Sequence, residues 1–442
     1  MDASDCRPAS AAASIVAGKP ATRRALVALT NRAPWAGGIV RWTCRSDAFN
    51  GRVEAVVAIP ARDERARIEA CLEACAHAAA LSGLRVRLVV LVNGTRDDTA
   101  ERALAWSVRR RRPITLVDVD FAPPLAHAGA ARRLALEIAS LDVPPDTMLM
   151  TTDADARPEP AWVATNAARL NEGVALVCGR VALDPDEASR LSARIEAVGE
   201  IEGRYKRATL ELEHRLDPDP WNPWPHHGMA SGASLAIRVR DLRAIGGVPL
   251  VPCGEDRTLA RVARARGLPV VHADEVVVEV SCRLRGRAAG GMADALRQRL
   301  HDPDPPCDEA LEPAAVLRAR VLARARARRL WPSRDARRDA LTSGGADDAL
   351  AAALSREDAF ECAWAHLEQA VHARSRVRLR TGDLCRELPA LLALLDDARE
   401  PGRSATAATA SRFPVSIRSR LPFVPPRTEP KRLPAPIDGD GV

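Results

Sequence analysis

Between residues 53 and 155, four short apolar runs alternate with segments of helical period, and this limits the fold more than any other feature. "VEAVVAIP" (53–60), "RVRLVVLVNG" (85–94), "PITLVDVD" (113–120) and "TMLMTTDAD" (147–155) read as strands. Their apolar residues run on instead of alternating, which fits strands covered on both faces. Between them, "ERARIEACLEACAHAAAL" (64–81), "DDTAERALAWSVRR" (97–110) and "AGAARRLALEIASL" (128–141) read as helices. Strand and helix in alternation give an α/β fold with a mostly parallel sheet flanked by helices. Ligands of such sheets gather beyond the carboxyl ends of the strands. Those ends are Pro60–Glu64, Asn93–Asp98 and Asp153–Asp155, and all three are polar.

Further on, "ALVCGRVAL" (175–183) and "PVVHADEVVVEVS" (269–281) are strand material, and "GEDRTLARVARARG" (254–267) is a helix that opens with two acids. Residues 1–50 show no sustained period and read as a flexible N-terminal extension. The α/β unit spans 51–300, a helical accessory region 301–400, and a Ser-, Thr- and Pro-rich tail, expected to be disordered, 401–442. No run of 18 apolar residues occurs, so no membrane span is expected. Ten scattered cysteines without Cys-x-x-Cys spacing suit a reducing cytoplasm. Cys71 and Cys75, four apart on a helix, read as small buried positions. Only three lysines occur, and the net charge of +7 is spread along the chain, which argues against a nucleic-acid partner.

The stretch "LMTTDADARPEP" (149–160) places Asp153 and Asp155 one residue apart at a strand end. On a continuing strand both would point to one side, and like charges that close repel. Either the chain turns between them or a positive group lies beside them. Taken alone, the pair reads as a turn or as a metal or phosphate site.

In order along the chain, "VVAIPARDE", "VLVNGTRDDT", "TTDADAR", "GASLAIRVRDLRAIGG" and "GEDRTLARVARARG" resemble the family 2 glycosyltransferases, which have the GT-A fold. The resemblance covers about 53–290. It implies a hexosyltransferase-like enzyme that moves a sugar from a nucleotide-sugar donor, a UDP- or GDP-sugar, to a carbohydrate, lipid-linked or small-molecule acceptor. It implies Mg²⁺ or Mn²⁺ on Asp155, with Asp153 near the ribose or in the metal shell. It makes Asp256 the general base, with Glu255 beside it, and inversion the stereochemical outcome. Pro60, Ala61, Arg62, Glu64, Asn93 and Arg132 are implied on the donor side. His272 reads either as a third metal ligand or as a structural histidine. Trp221, Trp224, His226 and His227 could face sugar rings or only pack. Where the family has acids in the second strand's turn, this chain has Val92 and Asn93, so the identity of the base stays open. The alternatives are a degenerate nucleotide-binding or scaffold protein of the same fold, or a nucleotidyltransferase. The latter would need a glycine-rich loop that "PARDERAR" lacks. "LRARVLARARARRLW" (317–331), with six arginines, reads as a solvated helix face or as a peripheral contact with an anionic membrane.

Overall fold

The computed structural model describes residues 16–17, 20–46, 52–288, 290–372 and 376–399. Its strands are β1 (Val16–Ala17), β2 (Ile39–Ser46), β3 (Ala55–Ala61), β4 (Val86–Asn93), β5 (Ile114–Phe121), β6 (Met148–Thr151), β7 (Ala156–Pro158), β8 (Leu176–Leu183), β9 (Leu235–Arg238) and β10 (Val270–Val280). The helices are α1 (Pro20–Thr30), α2 (Ile68–Leu81), α3 (Thr99–Arg110), α4 (Ala128–Ala139), α5 (Trp162–Asn171), α6 (Pro185–Ala188), α7 (Ala193–Leu216), α8 (Val239–Ala244), α9 (Glu255–Ala265), α10 (Met292–His301), α11 (Ala314–Leu330), α12 (Arg334–Ser343), α13 (Asp348–Leu354), α14 (Phe360–Leu367) and α15 (Thr381–Arg399).

All ten strands form one sheet in the order β1-β2-β5-β4-β3-β6-β9-β8-β10-β7. The run β5-β4-β3-β6 is parallel, as is β8-β10, while β9 runs antiparallel between β6 and β8. In β3, Val56, Val57, Ala58 and Ile59 have no exposed surface, which explains the unbroken apolar run. One face of the sheet packs under α2, α3 and α5 through Leu72, Trp106 and Trp162. The other packs under α4, α8 and α9 through Leu134, Leu242 and Leu259. The helix α7 carries Tyr205, Ala208 and Leu212 against α11 and α15, and so forms a third core with the C-terminal helices. The Tyr205 hydroxyl donates to the Glu312 carbonyl at 2.6 Å.

The reading of 1–50 as a flexible extension is corrected for its described part. Residues 20–30 are helical, and β2 joins the sheet beside β5. Leu26, Leu29, Trp35, Trp42 and Cys44 are buried against the second face. The pattern of β2 escaped notice because its inward positions are spread among polar residues and one pair of strand partners is interrupted at Ile39/Arg41. The tail 401–442 lies outside the described residues.

Candidate functional site

The carboxyl ends of the parallel strands converge on one polar region. After β3 the chain turns at Asp63, whose φ of 52° is left-handed. The N–H groups of Asp63, Glu64 and Arg65 donate to Thr95 Oγ1 (3.2 Å), Thr99 Oγ1 (2.8 Å) and Asp97 Oδ2 (3.2 Å). The first turn is therefore stitched to the one after β4. Pro60 and Ala61 close β3, where Ala61 pairs with Val92 of β4, and Asn93 is the next residue of that strand. Arg62, half-buried, follows Ala61 into the turn.

The Asp-x-Asp segment does not continue its strand. β6 stops at Thr151, and Ala156 N–H donates to the Asp153 carbonyl at 3.1 Å, closing a turn. Both devices that the charge repulsion called for are present. The turn separates the carboxylates, and each meets its own guanidinium. Asp153 Oδ1 accepts from Arg132 Nη2 at 2.7 Å, and Asp155 lies 3.0 Å from Arg283 Nη2. Burial and the charge of Asp153 push the Asp155 carboxyl up to about 6, with Arg283 pulling the other way.

Arg283 follows β10 and was not singled out in the sequence. Its guanidinium forks onto Glu64, with Nη1 2.7 Å from Oε2 and Nη2 on Oε1, while still touching Asp155. A bidentate fork of this kind fixes position as well as charge. The signal was available, since Arg283 lies just past the end of an apolar strand, where the same rule had picked out the other three turns.

Arg132 sits inside α4, 5% exposed, and makes four contacts. Besides Asp153, it donates to Glu255 Oε1 (2.9 Å), Thr151 Oγ1 (3.0 Å) and the Gly232 carbonyl (2.8 Å). It is thus a joint between the Asp-x-Asp turn and the start of α9. Gly232 is required there, because a Cβ would stand 2.2 Å from the Arg132 guanidinium. Glu255 is buried and held by Arg132, whereas its neighbour Asp256 is half-open. Asp256 Oδ2 accepts from Gly232 N–H at 2.8 Å and Oδ1 from Arg257 N–H at 2.7 Å. Burial, then the charge of Glu255, raises the Asp256 carboxyl above the usual range. The resemblance names Asp256 as the base with Glu255 beside it; in α9 Glu255 turns to Arg132, while Asp256 stays half-buried with two backbone N–H partners.

Four carboxylates (Glu64, Asp153, Asp155 and Glu255) thus share two guanidiniums, Arg132 and Arg283, and Asp256 adds a fifth negative charge held, among the described residues, only by the backbone N–H groups of Gly232 and Arg257. The remaining negative charge and the all-oxygen donor set fit a hard divalent cation.

His272 lies apart from this cluster. Its Nδ1 meets the Met229 carbonyl at 2.9 Å and its Nε2 meets Arg264 Nη2 at 2.6 Å. Both ring nitrogens are engaged, which is the structural of the two readings. It stacks on His226 and meets His227 edge-on. Trp224 packs edge-on to His226. Trp221, 42% exposed, rims a cavity of about 460 Å³ shared with Asn222, His226, Arg264 and Arg328. This cavity adjoins the far end of α9, roughly 15 Å of helix from Asp256.

The arginine-rich stretch forms α11, and half of its charge is spent internally. Arg320 meets Glu312, Glu213 and Glu368; Arg324 and Arg328 meet Asp217; Arg328 also meets Glu361. The spacing of four puts these three on one stripe facing α7 and α14. Among the described residues, no helix is long and apolar enough to cross a membrane.

Residues 56–231 match the family model described as Glycosyl transferase family 2. No curated protein matches the chain. Among solved structures, glucosyl-3-phosphoglycerate synthase from Mycobacterium tuberculosis, in complex with Mn²⁺, UDP and phosphoglyceric acid, is 23% identical with a TM-score of 0.35, covering 57% of this chain and 78% of its own. Mannosyltransferase PcManGT from Pyrobaculum calidifontis, in complex with GDP-Man and Mn²⁺, is 18% identical with a TM-score of 0.38, covering 85% and 93%.

Proposed function

We propose that this chain, whose residues 56–231 match the glycosyl transferase family 2 model, is a member of that family and transfers a hexosyl group from a nucleoside-diphosphate sugar to an acceptor hydroxyl with inversion. The observation that carries this reading is the Arg132 joint. It ties the donor-side carboxylate Asp153 to Glu255 and so sets Asp256, one residue on, at a fixed offset from the Asp-x-Asp turn.

Asp155 and Asp153 would hold Mg²⁺ or Mn²⁺, which neutralises charge on the departing diphosphate. Arg283 and Glu64 stand beside them, and Arg283 supplies a second cation for the phosphates. The turn of Pro60, Ala61 and Arg62 and the adjacent Asn93 offer a floor for base and ribose. Asp256 accepts the proton of the acceptor hydroxyl as that oxygen bonds to the anomeric carbon and the sugar–phosphate bond breaks on the opposite side. Its raised pKa makes it a better base, and the Gly232 N–H fixes the carboxylate's direction. Glu255 is unsuited to this task because Arg132 holds it.

Calorimetry with UDP and with GDP tests the donor half. Binding is expected to need Mn²⁺ or Mg²⁺, to vanish with chelator, and to weaken strongly in Asp155→Ala. Equal affinity under all conditions would overturn the metal assignment.

A further inference from the structure

The helix α14 has two unlike faces. Phe360, Ala363, Trp364 and Leu367 are buried, and the helix packs against α9. Its outer stripe carries Cys362 and His366, four residues apart and so neighbours on the helix surface. Glu357 approaches them from the preceding turn. Cys362 Sγ lies 3.9 Å from His366 Nδ1, and that same nitrogen lies 3.7 Å from Glu357 Oε1. All three donor atoms fall within 4.8 Å of one another.

We propose that Glu357, Cys362 and His366 form a binding site for a borderline transition-metal dication of the Zn²⁺ type, separate from the Asp153–Asp155 region. Thiolate, imidazole and carboxylate are the donors such ions take. A tetrahedral ion with bonds of about 2.0–2.3 Å sets its ligand atoms roughly 3.5 Å apart, so the observed spacings need only small side-chain rotations. The alternative, a cysteine nucleophile with a histidine base oriented by an acid, requires the two partners on different ring nitrogens. Here both face Nδ1, which is convergence on a point.

The scaffold is held before any ion arrives. Arg337 of α12, buried, donates to the carbonyls of Trp331 (2.6 Å), Ser355 (3.4 Å) and Glu357 (3.1 Å). Its guanidinium lies over the Trp331 ring, 4.6 Å from the centroid. On binding, the metal–sulfur bond forms and the thiol proton leaves to solvent. The bound ion clips the 355–358 turn to α14, and through α14 it steadies α9, which begins at Glu255.

Co²⁺ titration of the metal-stripped full chain tests the site. A thiolate-to-cobalt charge-transfer band should appear in the near ultraviolet, yield to Zn²⁺ and persist in excess Mg²⁺. Cys362→Ser should abolish it. His366→Ala, at an exposed position, should weaken Co²⁺ binding by about tenfold or more. Zn²⁺ should raise the unfolding temperature of the native chain and not of Cys362→Ser, and Asp155→Ala should keep the band. Absence of a thiolate band, or one that survives Cys362→Ser, overturns the proposal.

Discussion

Arg132 and Arg320 are both almost fully buried, and each grips carboxylates from other elements, yet they serve different ends. Arg320 is closed on itself. Its three acids are Glu312, Glu213 and Glu368, and Glu312, with a side chain 3% exposed, also takes Arg376. Around it, five acids meet four arginines once Asp217, Glu361, Arg324, Arg328 and Arg376 are included. Arg132 and Arg283 together meet four carboxylates, Asp256 beside them has, among the described residues, only backbone N–H partners, and the Asp153 side chain stays 37% exposed. A buried arginine is therefore not in itself a sign of a site. What marks one is negative charge left over and open to solvent.

The strongest way to break this comparison is to remove each arginine. Arg132→Ala and Arg320→Ala should each cost about 3–5 kcal/mol, because each leaves buried carboxylates unpaired. Denaturant unfolding reads that cost. Turnover corrected for folded protein should then separate them, with none detectable for Arg132→Ala and the native value for Arg320→Ala. Equal losses of turnover would mean that the two hubs do not differ as described.

Asp256→Asn keeps shape but cannot take a proton. Turnover should fall by roughly 10²–10⁴-fold with donor affinity unchanged. Near-native turnover in this variant would remove Asp256 from the base role.

Between the two regions lie His226, His227 and His272, all held neutral chiefly by burial. For His227 the folded-state value drops from 6.5 to about 4. The unfolded chain therefore binds the extra proton between those values, so stability is whole above pH 6.5 and lost as pH falls toward 4. His227 alone accounts for up to about 3 kcal/mol of this. Thermal unfolding between pH 7 and 4.5 should show the fall, and His227→Gln should flatten it.

The smallest effect expected is at Gly232→Ala. The added methyl group would press on the Arg132 guanidinium and cost about 1–3 kcal/mol. It should weaken donor binding and turnover together, since Arg132 serves both sides; a loss confined to stability would uncouple the joint from the site.

Much of this was legible in the sequence because burial on both faces leaves continuous apolar runs, as in β3, β4 and β5, and because strand ends announce themselves by abrupt polarity. The Asp-x-Asp turn and the two acids of α9 could be located that way. Of their partners, Arg132 was reached only through the family resemblance and Arg283 not at all. Arg132 lies within a helix that reads as amphipathic, and only the packing of α4 on β6 and α9 turns it inward. The division of labour between Glu255 and Asp256 likewise depends on which of two adjacent side chains faces Arg132. The arginines of α11 read as a solvated face because two of their counter-charges, Glu213 on α7 and Asp217 at its end, sit about a hundred residues away. The mixed-donor cluster on α14 went unseen because Glu357 stands outside the helix that pairs Cys362 with His366.

The strand β2 has a consequence for handling the protein. An unpaired outermost strand presents a row of free N–H and C=O groups that can recruit another chain and seed aggregation. β2 covers β5 along its length, from Ile39 opposite Phe121 to Ser46 opposite Thr115. Beyond it the sheet stops at β1, only two residues long, and its other border is β7, three residues long. Because β1 pairs only with Cys44 and Arg45, most of β2's outer side is itself the border, and its exposed Arg41 and Arg45 place charge there. A polypeptide trimmed to begin at residue 51 would keep every residue of the proposed site, yet bare the eight-residue side of β5. Its failure would show as insoluble protein, not as an inactive enzyme.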